Sequence, residues 1–93
     1  MKSVIEGDSD RCCFLCGSWG KVDPHHIFGA ACRKTSDKYG LIVHLCRGCH
    51  DFIHFNPNGH DQMEYLHKLG QTYYEENIGD RQKFIEEFIR SYL

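Results

Sequence analysis

The sequence predicts a small α+β domain in which a metal-stapled hairpin and a helix form the core and two helices follow at the C-terminal end. Four of the six cysteines form two Cys-x2-Cys pairs, and an apolar, β-branched run leads directly into the second pair. The last third of the chain carries apolar residues at helical spacing. With 93 residues, the chain forms one domain whose hydrophobic core is small enough that a metal site should help to hold it.

The segment 46–54 concentrates four candidate metal ligands in nine residues. Cys46 and Cys49 have the spacing at which a tight turn directs two thiolates toward one tetrahedral zinc ion. His50 and His54 are four residues apart, so on a helix they lie on one face, one turn from each other. This segment therefore predicts the end of a zinc knuckle and the start of a helix that carries two histidines.

The cysteine and histidine content indicates a reduced, metal-binding protein rather than a secreted disulfide framework. Seven histidines accompany the cysteines, and the first eight residues contain no apolar stretch long enough for a signal peptide. No run of the sequence reaches the apolar length of a transmembrane helix. These features predict a cytoplasmic protein without a membrane partner.

The domain is predicted to have three parts. Residues 1–11 are polar and acidic without a periodic pattern, which favours a flexible arm. Residues 12–56 contain both cysteine pairs and the clustered histidines, and are predicted to form the zinc-knuckle core. Residues 57–93 are predicted to form a helical C-terminal extension that serves as scaffold.

Within the core, the pattern predicts two strands, a loop and a helix. Residues 25–28 follow Pro24 and are expected to form a short strand, in which neighbouring side chains point to opposite faces. Residues 29–40 are rich in small and basic residues and are predicted as a loop. Residues 41–45 contain two β-branched residues and are the best strand candidate of the chain. The helix that carries the two histidines follows the second cysteine pair.

Two helices are predicted in the C-terminal extension. Residues 56–59, Asn-Pro-Asn-Gly, have the composition of a turn that ends the preceding helix. One helix is expected over residues 61–77, although Gly70 inside it costs about 1 kcal/mol relative to alanine. The other is expected over residues 81–92 and is capped by Asp80. Its apolar stripe favours core packing over a partner-binding groove.

The two cysteine pairs predict a closed, structural zinc site. Cys13 and Cys16 are separated by 29 residues from Cys46 and Cys49. Four thiolates complete a tetrahedron and leave no open position for a substrate. Apparent zinc-binding free energies of such sites are about 10–16 kcal/mol, which matches or exceeds the stability of a small domain. Cys12 is one residue out of register, and is either an ordinary thiol or a replacement for Cys13.

The clustered histidines predict a second metal site that keeps open positions. If the first strand lies beside the helix, one of His25 and His26 can join the two helix histidines, and the other is free to act as a base. Open positions are what a catalytic metal requires. The remaining three histidines are assigned to ordinary packing or to the surface: His44, His60 and His67.

These residues together resemble the HNH endonucleases, which have a treble-clef-like ββα-metal fold with a zinc-stapled hairpin. The resemblance is carried by the segment Asp23-Pro24-His25-His26-Ile27, the basic loop, the strand 41–45, the second knuckle, and His50 and His54. Residues 26–41 and 88–93 are further similar to small HNH proteins of phages and prophages, related to recombination-enhancement nucleases. The nuclease motif covers residues 13–54, and the phage-type resemblance covers nearly the whole chain.

The resemblance implies a role for each clustered histidine. It implies that His25 is a ligand of a catalytic divalent metal and that His50 and His54 complete that site. It implies that His26 is the general base that activates water. Imidazole ligands suit zinc or nickel, whereas the resemblance favours magnesium or manganese, so the identity of the catalytic ion stays open.

One position departs from the HNH pattern. Leu41 stands where the family carries its middle asparagine, nine residues before the helix histidine. That asparagine ties the loop and orients the base, and Leu41 offers backbone groups alone for this. Ser36 or Asp37 can tie the loop in its place. The departure bears on the efficiency of catalysis more than on the fold.

The charge distribution is compatible with a polyanionic partner near the candidate metal ligands. Residues 11–50 carry six basic and two acidic side chains, whereas residues 51–93 carry four basic and eight acidic ones. Solvated surface charge would also explain this imbalance. The resemblance implies that cations of the loop and knuckle hold the flanking phosphates of DNA. The four residues expected to contact DNA are Arg33, Lys34, Lys38 and Arg47.

Two functions from different classes follow from the sequence. The first, which the HNH resemblance implies, is metal-dependent hydrolysis of DNA phosphodiester bonds, in phage DNA recombination or processing inside a bacterial host cell. A nick is the expected product, because each chain carries one active site. The second is a non-catalytic zinc module that binds DNA or a protein partner and needs a single ion. Pairing of two chains, or action with a recombination or packaging protein, stays open under both.

Overall fold

A two-stranded antiparallel sheet and the helix that follows it organise the fold. The computed structural model describes residues 3–93 and contains four α-helices beside that sheet, which confirms the predicted small α+β class. The elements in chain order are β1 (Asp23–His26), α1 (Arg33–Lys38), β2 (Ile42–Leu45), α2 (Arg47–Phe55), α3 (His60–Asn77) and α4 (Arg81–Phe88), with short 3-10 turns at Ala30–Cys32 and Pro57–Gly59. No helix within residues 3–93 is long and apolar enough to cross a bilayer.

The two strands pair in the register that places His25 opposite Val43. β2 is buried along its whole length, as its apolar sequence predicts. β1 begins and ends two residues earlier than expected, because Ile27 and Phe28 leave the strand and turn into the core, where both are almost completely buried. Pro24 is tolerated in β1 because each strand of a two-stranded sheet has a free edge.

The predicted loop between the strands contains a helix. Residues 33–38 form α1, whose sequence has no proline or glycine and includes arginine and lysine, which are good helix formers. The small residues that suggested a loop lie before and after the helix instead. Gly40 has φ of 72° and turns the chain into β2. Ser36 is the buried residue of α1 and faces the hairpin.

Phe28 lies at the centre of the hydrophobic core. The centroid of its ring is 5.3 Å from that of Phe84, 4.8 Å from that of Phe88 and 5.3 Å from that of Tyr92. Aromatic pairs at such separations contribute roughly 0.5–1.5 kcal/mol each beyond the burial of their area. The end of β1 is thus joined to α4 and to the C-terminal tail, and the aromatic residues of α4 pack in the core as predicted.

α4 starts as predicted but ends four residues early. Asp80 caps it by accepting a hydrogen bond from the Lys83 amide at 2.8 Å. The helix ends at Phe88 because Ile89 has φ of 81°, a left-handed conformation that costs a branched residue roughly 1–3 kcal/mol. The tail then folds back, and the Tyr92 amide donates to Gln71 Oε1 at 2.6 Å. These tail contacts offset the strain.

The predicted flexible arm is instead packed against β2, as far as residues 3–11 are described; residues 1 and 2 of that prediction lie outside the described part. The Ser3 hydroxyl donates to the Ile42 carbonyl at 2.6 Å, and Ile5 is buried. Asp8 accepts from the His44 amide at 2.7 Å and also lies 2.7 Å from His44 Nδ1. The polar composition suggested a flexible segment, but the carboxylate of Asp8 has a specific partner, His44, on β2.

Gly70 allows α3 to approach the end of β1 closely. A Cβ atom at this position would lie 2.9 Å from Ile27 Cγ2 and 2.9 Å from Phe28 Cε2. Real Cβ atoms do not approach carbon atoms so closely, so a larger residue would push α3 away from β1. The helix-weakening glycine therefore has a packing reason, and it brings the preceding turn of α3 next to the hairpin.

Candidate metal centres

The cysteines of the two Cys-x2-Cys pairs converge on one point. The sulfur atoms of Cys13, Cys16, Cys46 and Cys49 all lie within 4.8 Å of one another. Those of Cys16 and Cys46 are 3.8 Å apart. A tetrahedron with zinc–sulfur bonds of about 2.3 Å places its sulfur atoms about 3.8 Å apart. The four cysteines can therefore hold one zinc ion with little rearrangement.

Both knuckles use the same local turn. The Cys16 amide lies 3.5 Å from Cys13 Sγ, and the Cys49 amide lies 3.4 Å from Cys46 Sγ. In the first knuckle Gly17 has φ of 76°, the left-handed conformation expected after the pair. In the second knuckle the same sulfur contact caps the start of α2. Each pair of thiols is thus positioned by its own backbone.

Backbone and hydroxyl groups around the cluster affect its thiols unequally. The Ser18 hydroxyl is the main cause that lowers the pKa of Cys16 to about 6. Burial opposes ionisation of Cys13, but three backbone amides outweigh it and lower its pKa. Burial, and then the neighbouring thiols, raise the pKa of Cys49. Four adjacent thiols cannot all ionise without a cation, and a zinc ion removes that conflict because it deprotonates its thiol ligands.

The two remaining cysteines lie outside the cluster. Cys12 pairs through its backbone with Trp19, so Cys13 rather than Cys12 is the residue that joins the group. Cys32 does not join the cluster, and its sulfur is 3.7 Å from the Phe88 carbonyl oxygen. In the structure, Cys12 therefore does not take the place of Cys13 in the cluster.

Three histidines form the second cluster. One ring nitrogen from each of His25, His50 and His54 lies within 4.8 Å of the others. The ring centroids of His25 are 5.4 Å and 5.5 Å from those of His50 and His54, which are 4.6 Å from each other. His25 comes from β1, whereas the other two occupy one face of α2. Of the two adjacent histidines in β1, the structure therefore brings His25 to the helix pair.

The buried ring of His25 fits a metal ion. Its Nε2 atom is buried without a hydrogen-bond partner, and the residue is 5% exposed. An unsatisfied buried polar atom is costly, and a coordinated ion is one of the few groups that account for it. Burial above all, and then the nearby His50 and His54, lower the pKa of His25 to about 4. It is therefore neutral at physiological pH, which is the form that binds metal.

The chemistry of this donor set favours a transition ion. Burial is also the main cause that lowers the pKa of His50. Three imidazole ligands suit zinc or nickel, whereas magnesium prefers oxygen ligands. In a tetrahedral arrangement three protein ligands leave one position free for water or substrate. The histidine cluster thus differs from the cysteine cluster in being able to stay open.

His26 lies outside the three-histidine group and next to a carboxylate. Its Nε2 atom is 3.6 Å from Asp37 Oδ1, and its side chain is mostly buried. This distance is longer than a hydrogen bond, so a small rotation is needed before the carboxylate can orient the ring. Because Asp37 lies on α1, the unpredicted helix supplies a carboxylate next to His26.

Ser36 ties the segment between the strands to the hairpin. Its hydroxyl donates to the Leu41 carbonyl at 2.6 Å and lies 3.4 Å from the Phe28 amide. The Leu41 amide in turn donates to the Ser36 carbonyl at 2.9 Å. Ser36 and Leu41 are both fully buried. Of the two residues considered for this tie, Ser36 makes it, and Asp37 faces His26.

A cleft of about 630 Å³ opens over the histidine cluster. Of the four cations expected to contact DNA, Arg33 and Arg47 line it, together with His26. Lys34 and Lys38 do not line it among the described residues, and Lys38 Nζ lies 5.1 Å from the centre of the Tyr39 ring. In a helix, neighbouring side chains point in different directions, so Arg33 can line the cleft while Lys34, the next residue, does not. A loop would have allowed both side chains to face the cleft.

Two residues of α3 line the cleft although the sequence placed α3 in the scaffold. They are Met63 and His67, and His67 was assigned to ordinary packing. A signal for this approach was present in Gly70, because a glycine inside a helix often marks close contact with another element. Met63 carries no comparable signal, since methionine at helical spacing is typical of any core-facing helix.

The structure thus contains two side-chain clusters of metal-ligand type, and both include residues of α2. The first has four sulfur donors in a closed arrangement, and the second has three nitrogen donors beside a cleft. Comparison of the chain with protein-family models, curated proteins and solved structures finds no match. The function is therefore inferred from the geometry of the clusters and from the sequence motifs.

Proposed function

We propose that this protein is a metal-dependent endonuclease of the HNH type that hydrolyses DNA phosphodiester bonds and nicks its substrate. The observation that carries this proposal is the buried, unpartnered Nε2 atom of His25 in a group with His50 and His54. That group lines a cleft that Arg33 and Arg47 also line, as a polyanionic substrate requires. The resemblance of the sequence extends the proposal to DNA recombination or processing in a phage.

The reaction proposed is attack of water on the scissile phosphorus. His25, His50 and His54 would hold a divalent ion, which would supply positive charge to offset the negative charge that builds up on the scissile phosphate. His26 takes a proton from the attacking water, whose oxygen forms the new bond to phosphorus while the bond to the 3′-oxygen breaks. The products are a 5′-phosphate and a 3′-hydroxyl, the latter completed by a proton from solvent. A positioned base of this kind typically contributes about 10²–10⁴ in rate.

The neighbours of His26 support its role as base. Asp37 is close enough to orient the imidazole after a small rotation, as a carboxylate does for catalytic histidines in general. Arg33 and Arg47 hold phosphates that flank the scissile bond. Contacts to phosphates carry no direct sequence information, so we expect cleavage with weak sequence preference.

The decisive experiment is nicking of supercoiled plasmid by the purified chain with manganese, nickel, zinc or magnesium. His26→Ala should lower the nicking rate by about 10²–10⁴ and retain both metal ions. His60→Ala, which removes an exposed histidine of α3 outside the cleft lining, is the matched control and should nick like the wild type. Metal content is measured on the same samples by mass spectrometry.

Three results would contradict the proposal. Equal nicking by the wild type and His26→Ala would exclude His26 as the base. A single tightly held ion per chain would indicate that the histidine cluster is not a metal site. Absence of nicking with retained DNA binding would favour the non-catalytic zinc module.

A further inference from the structure

The cleft over the histidine cluster is larger than a phosphate group and a metal ion require. Its volume of about 630 Å³ lies within the range of roughly 300–1,000 Å³ of sites that enclose small organic ligands. Apart from the histidines and arginines already assigned, its walls are formed by Asp23, Pro24, Ile27, Gly29, Ala30, Met63 and His67. These are mostly apolar groups with one imidazole and one carboxylate among them. Such a lining suits an uncharged, flat group better than a second phosphate.

The imidazole of His67 is held by its neighbours. Its ring stacks on Phe28 with centroids 5.4 Å apart and planes 10° apart, and its centroid is 4.3 Å from that of Tyr92. The Ile27 backbone carbonyl lies near the ring and favours its protonated form, which opposes the lowering of the His67 pKa by burial. His67 nevertheless lines the cleft, so the part of the ring that these contacts leave free faces the cleft. A side chain held in this way loses little entropy when a ligand binds.

The hydrogen-bonding character of His67 selects among ligands. Burial above all, and then Arg90, lower its pKa, whereas the Ile27 carbonyl opposes that shift. A neutral imidazole carries one N–H donor and one nitrogen that accepts a hydrogen bond. Phosphate oxygens are acceptors too and do not match it. The amino and imino groups of nucleobases are donors and do match it.

We propose that the α3 side of the cleft holds the base of an unpaired nucleotide next to the scissile phosphate. Met63 provides apolar contact to the base and His67 accepts a hydrogen bond from it. Arg33 and Arg47 line the same cleft, so the phosphate and the base of one nucleotide are held together. A base that is stacked and paired in a duplex cannot enter such a pocket without being extruded.

This inference rests on the proposed function, because it assumes that the histidine cluster holds the scissile phosphate. It adds the class of substrate: DNA in which the nucleotide beside the cut is unpaired, as in a single strand, a flap or a mismatch. It also gives the C-terminal extension a role in recognition, since α3 supplies both residues that contact the base.

The first test uses calorimetry to measure the binding of two small probes to the full, zinc-loaded chain. The probes are 2′-deoxyadenosine 5′-monophosphate and 2-deoxyribose 5-phosphate, which carries a hydroxyl group where the nucleotide carries its base. We expect the nucleotide to bind about tenfold more tightly, in keeping with contributions of single bases in single-strand sites. His67→Ala and Met63→Ala should each remove most of that difference and leave the affinity for the sugar phosphate unchanged.

The matched control is His60→Ala, an exposed histidine of the same helix, which should keep the full preference for the nucleotide. Zinc content and thermal unfolding verify that each variant is folded. If His67→Ala does not fold, Met63→Ala carries the test. Equal binding of the two probes by the wild type, or an unchanged preference in the folded variants, would overturn the proposal.

The second test separates this inference from the nuclease itself. The wild type is given a fully paired duplex and the same duplex with one unpaired nucleotide, and we expect cleavage beside that nucleotide to be about tenfold faster. Equal cleavage of both would overturn the base pocket and leave the nuclease standing. Cleavage of neither, with a nucleotide preference that depends on His67, would overturn the nuclease and leave a nucleotide-binding cleft.

Discussion

The cysteine cluster and the histidine cluster share α2 but are assembled in different ways. In the cysteine cluster, each pair of ligands comes from one tight turn, and two turns complete the set. In the histidine cluster, two ligands come from one helix face and the third from β1. The first arrangement is encoded almost entirely by local spacing, whereas the second depends on where the hairpin lies against the helix.

This difference separates stability from chemistry within one short segment. A closed set of four thiolates can contribute folding free energy but offers no position to a substrate. Three imidazoles beside a cleft leave such a position free, at the cost of depending on the rest of the fold. Damage to the cysteine cluster should therefore abolish both sites, and damage to the histidine cluster should leave the first intact.

The largest effect is expected for Cys49→Ser. The substitution removes one of four ligands from a site whose zinc affinity corresponds to about 10–16 kcal/mol, comparable to the stability of the domain. We expect loss of the structural zinc, of the near-ultraviolet circular dichroism signal and of cooperative thermal unfolding. Cys32→Ser, a half-buried cysteine outside the cluster, is the control and should remain folded. A folded Cys49→Ser chain that still binds metal through its histidines would show that the two clusters are independent in both directions.

A smaller effect on stability is expected for His54→Ala, and the ion that is lost is the one in the histidine cluster. His54 is exposed, so its removal should change the free energy of unfolding by about 0.5 kcal/mol or less. The chain should keep its zinc in the cysteine cluster and lose the second, exchangeable ion, and metal-dependent nicking should be lost with it. Mass spectrometry under native conditions counts the ions directly. Retention of two ions by this variant would mean that the second ion is bound elsewhere.

The success of the sequence-based predictions follows the same division. The cysteine cluster was predicted from spacing because a Cys-x2-Cys turn positions its own ligands, and the structure confirms that the four residues meet. For the histidines, spacing predicted the pair His50 and His54, but it left His25 and His26 as alternatives. The choice between those two depends on the register of β1 against β2, which spacing along the chain does not contain.

What the sequence did not predict lies in tertiary contacts. α1 was expected as a loop because its segment is rich in small and basic residues, and the N-terminal segment was expected to be a flexible arm because it is polar and acidic without a periodic pattern. Asp8 is held there by His44, a partner 36 positions away that no local pattern indicates. α4 ends early because the tail gains contacts with Gln71 and Phe28. Each difference arises where a long-range contact outweighs a local preference.

The most specific prediction concerns Ser36, which links the unpredicted α1 to the position of the hairpin. Ser36→Ala removes the hydroxyl that donates to the Leu41 carbonyl and lies 3.4 Å from the Phe28 amide. The Leu41 carbonyl still accepts from the Ile27 amide, so the buried Phe28 amide is the group that loses its partner, which costs about 1–3 kcal/mol. Because Leu41 precedes β2 and Phe28 follows β1, the hairpin should loosen against α2. We therefore expect weaker binding of the second ion, with an unchanged affinity for zinc in the cysteine cluster.

Isothermal titration of the second ion into the zinc-loaded chain measures this effect, and Thr35→Ala on the same helix is the matched control. If the hairpin alone positions His25, then Ser36→Ala weakens the histidine site while Thr35→Ala does not. An equal loss of affinity at both clusters would instead mean that Ser36 supports the domain as a whole. No change at either cluster would mean that the pairing of β1 with β2 is sufficient to hold His25 against α2, and that the tie made by Ser36 serves the loop alone.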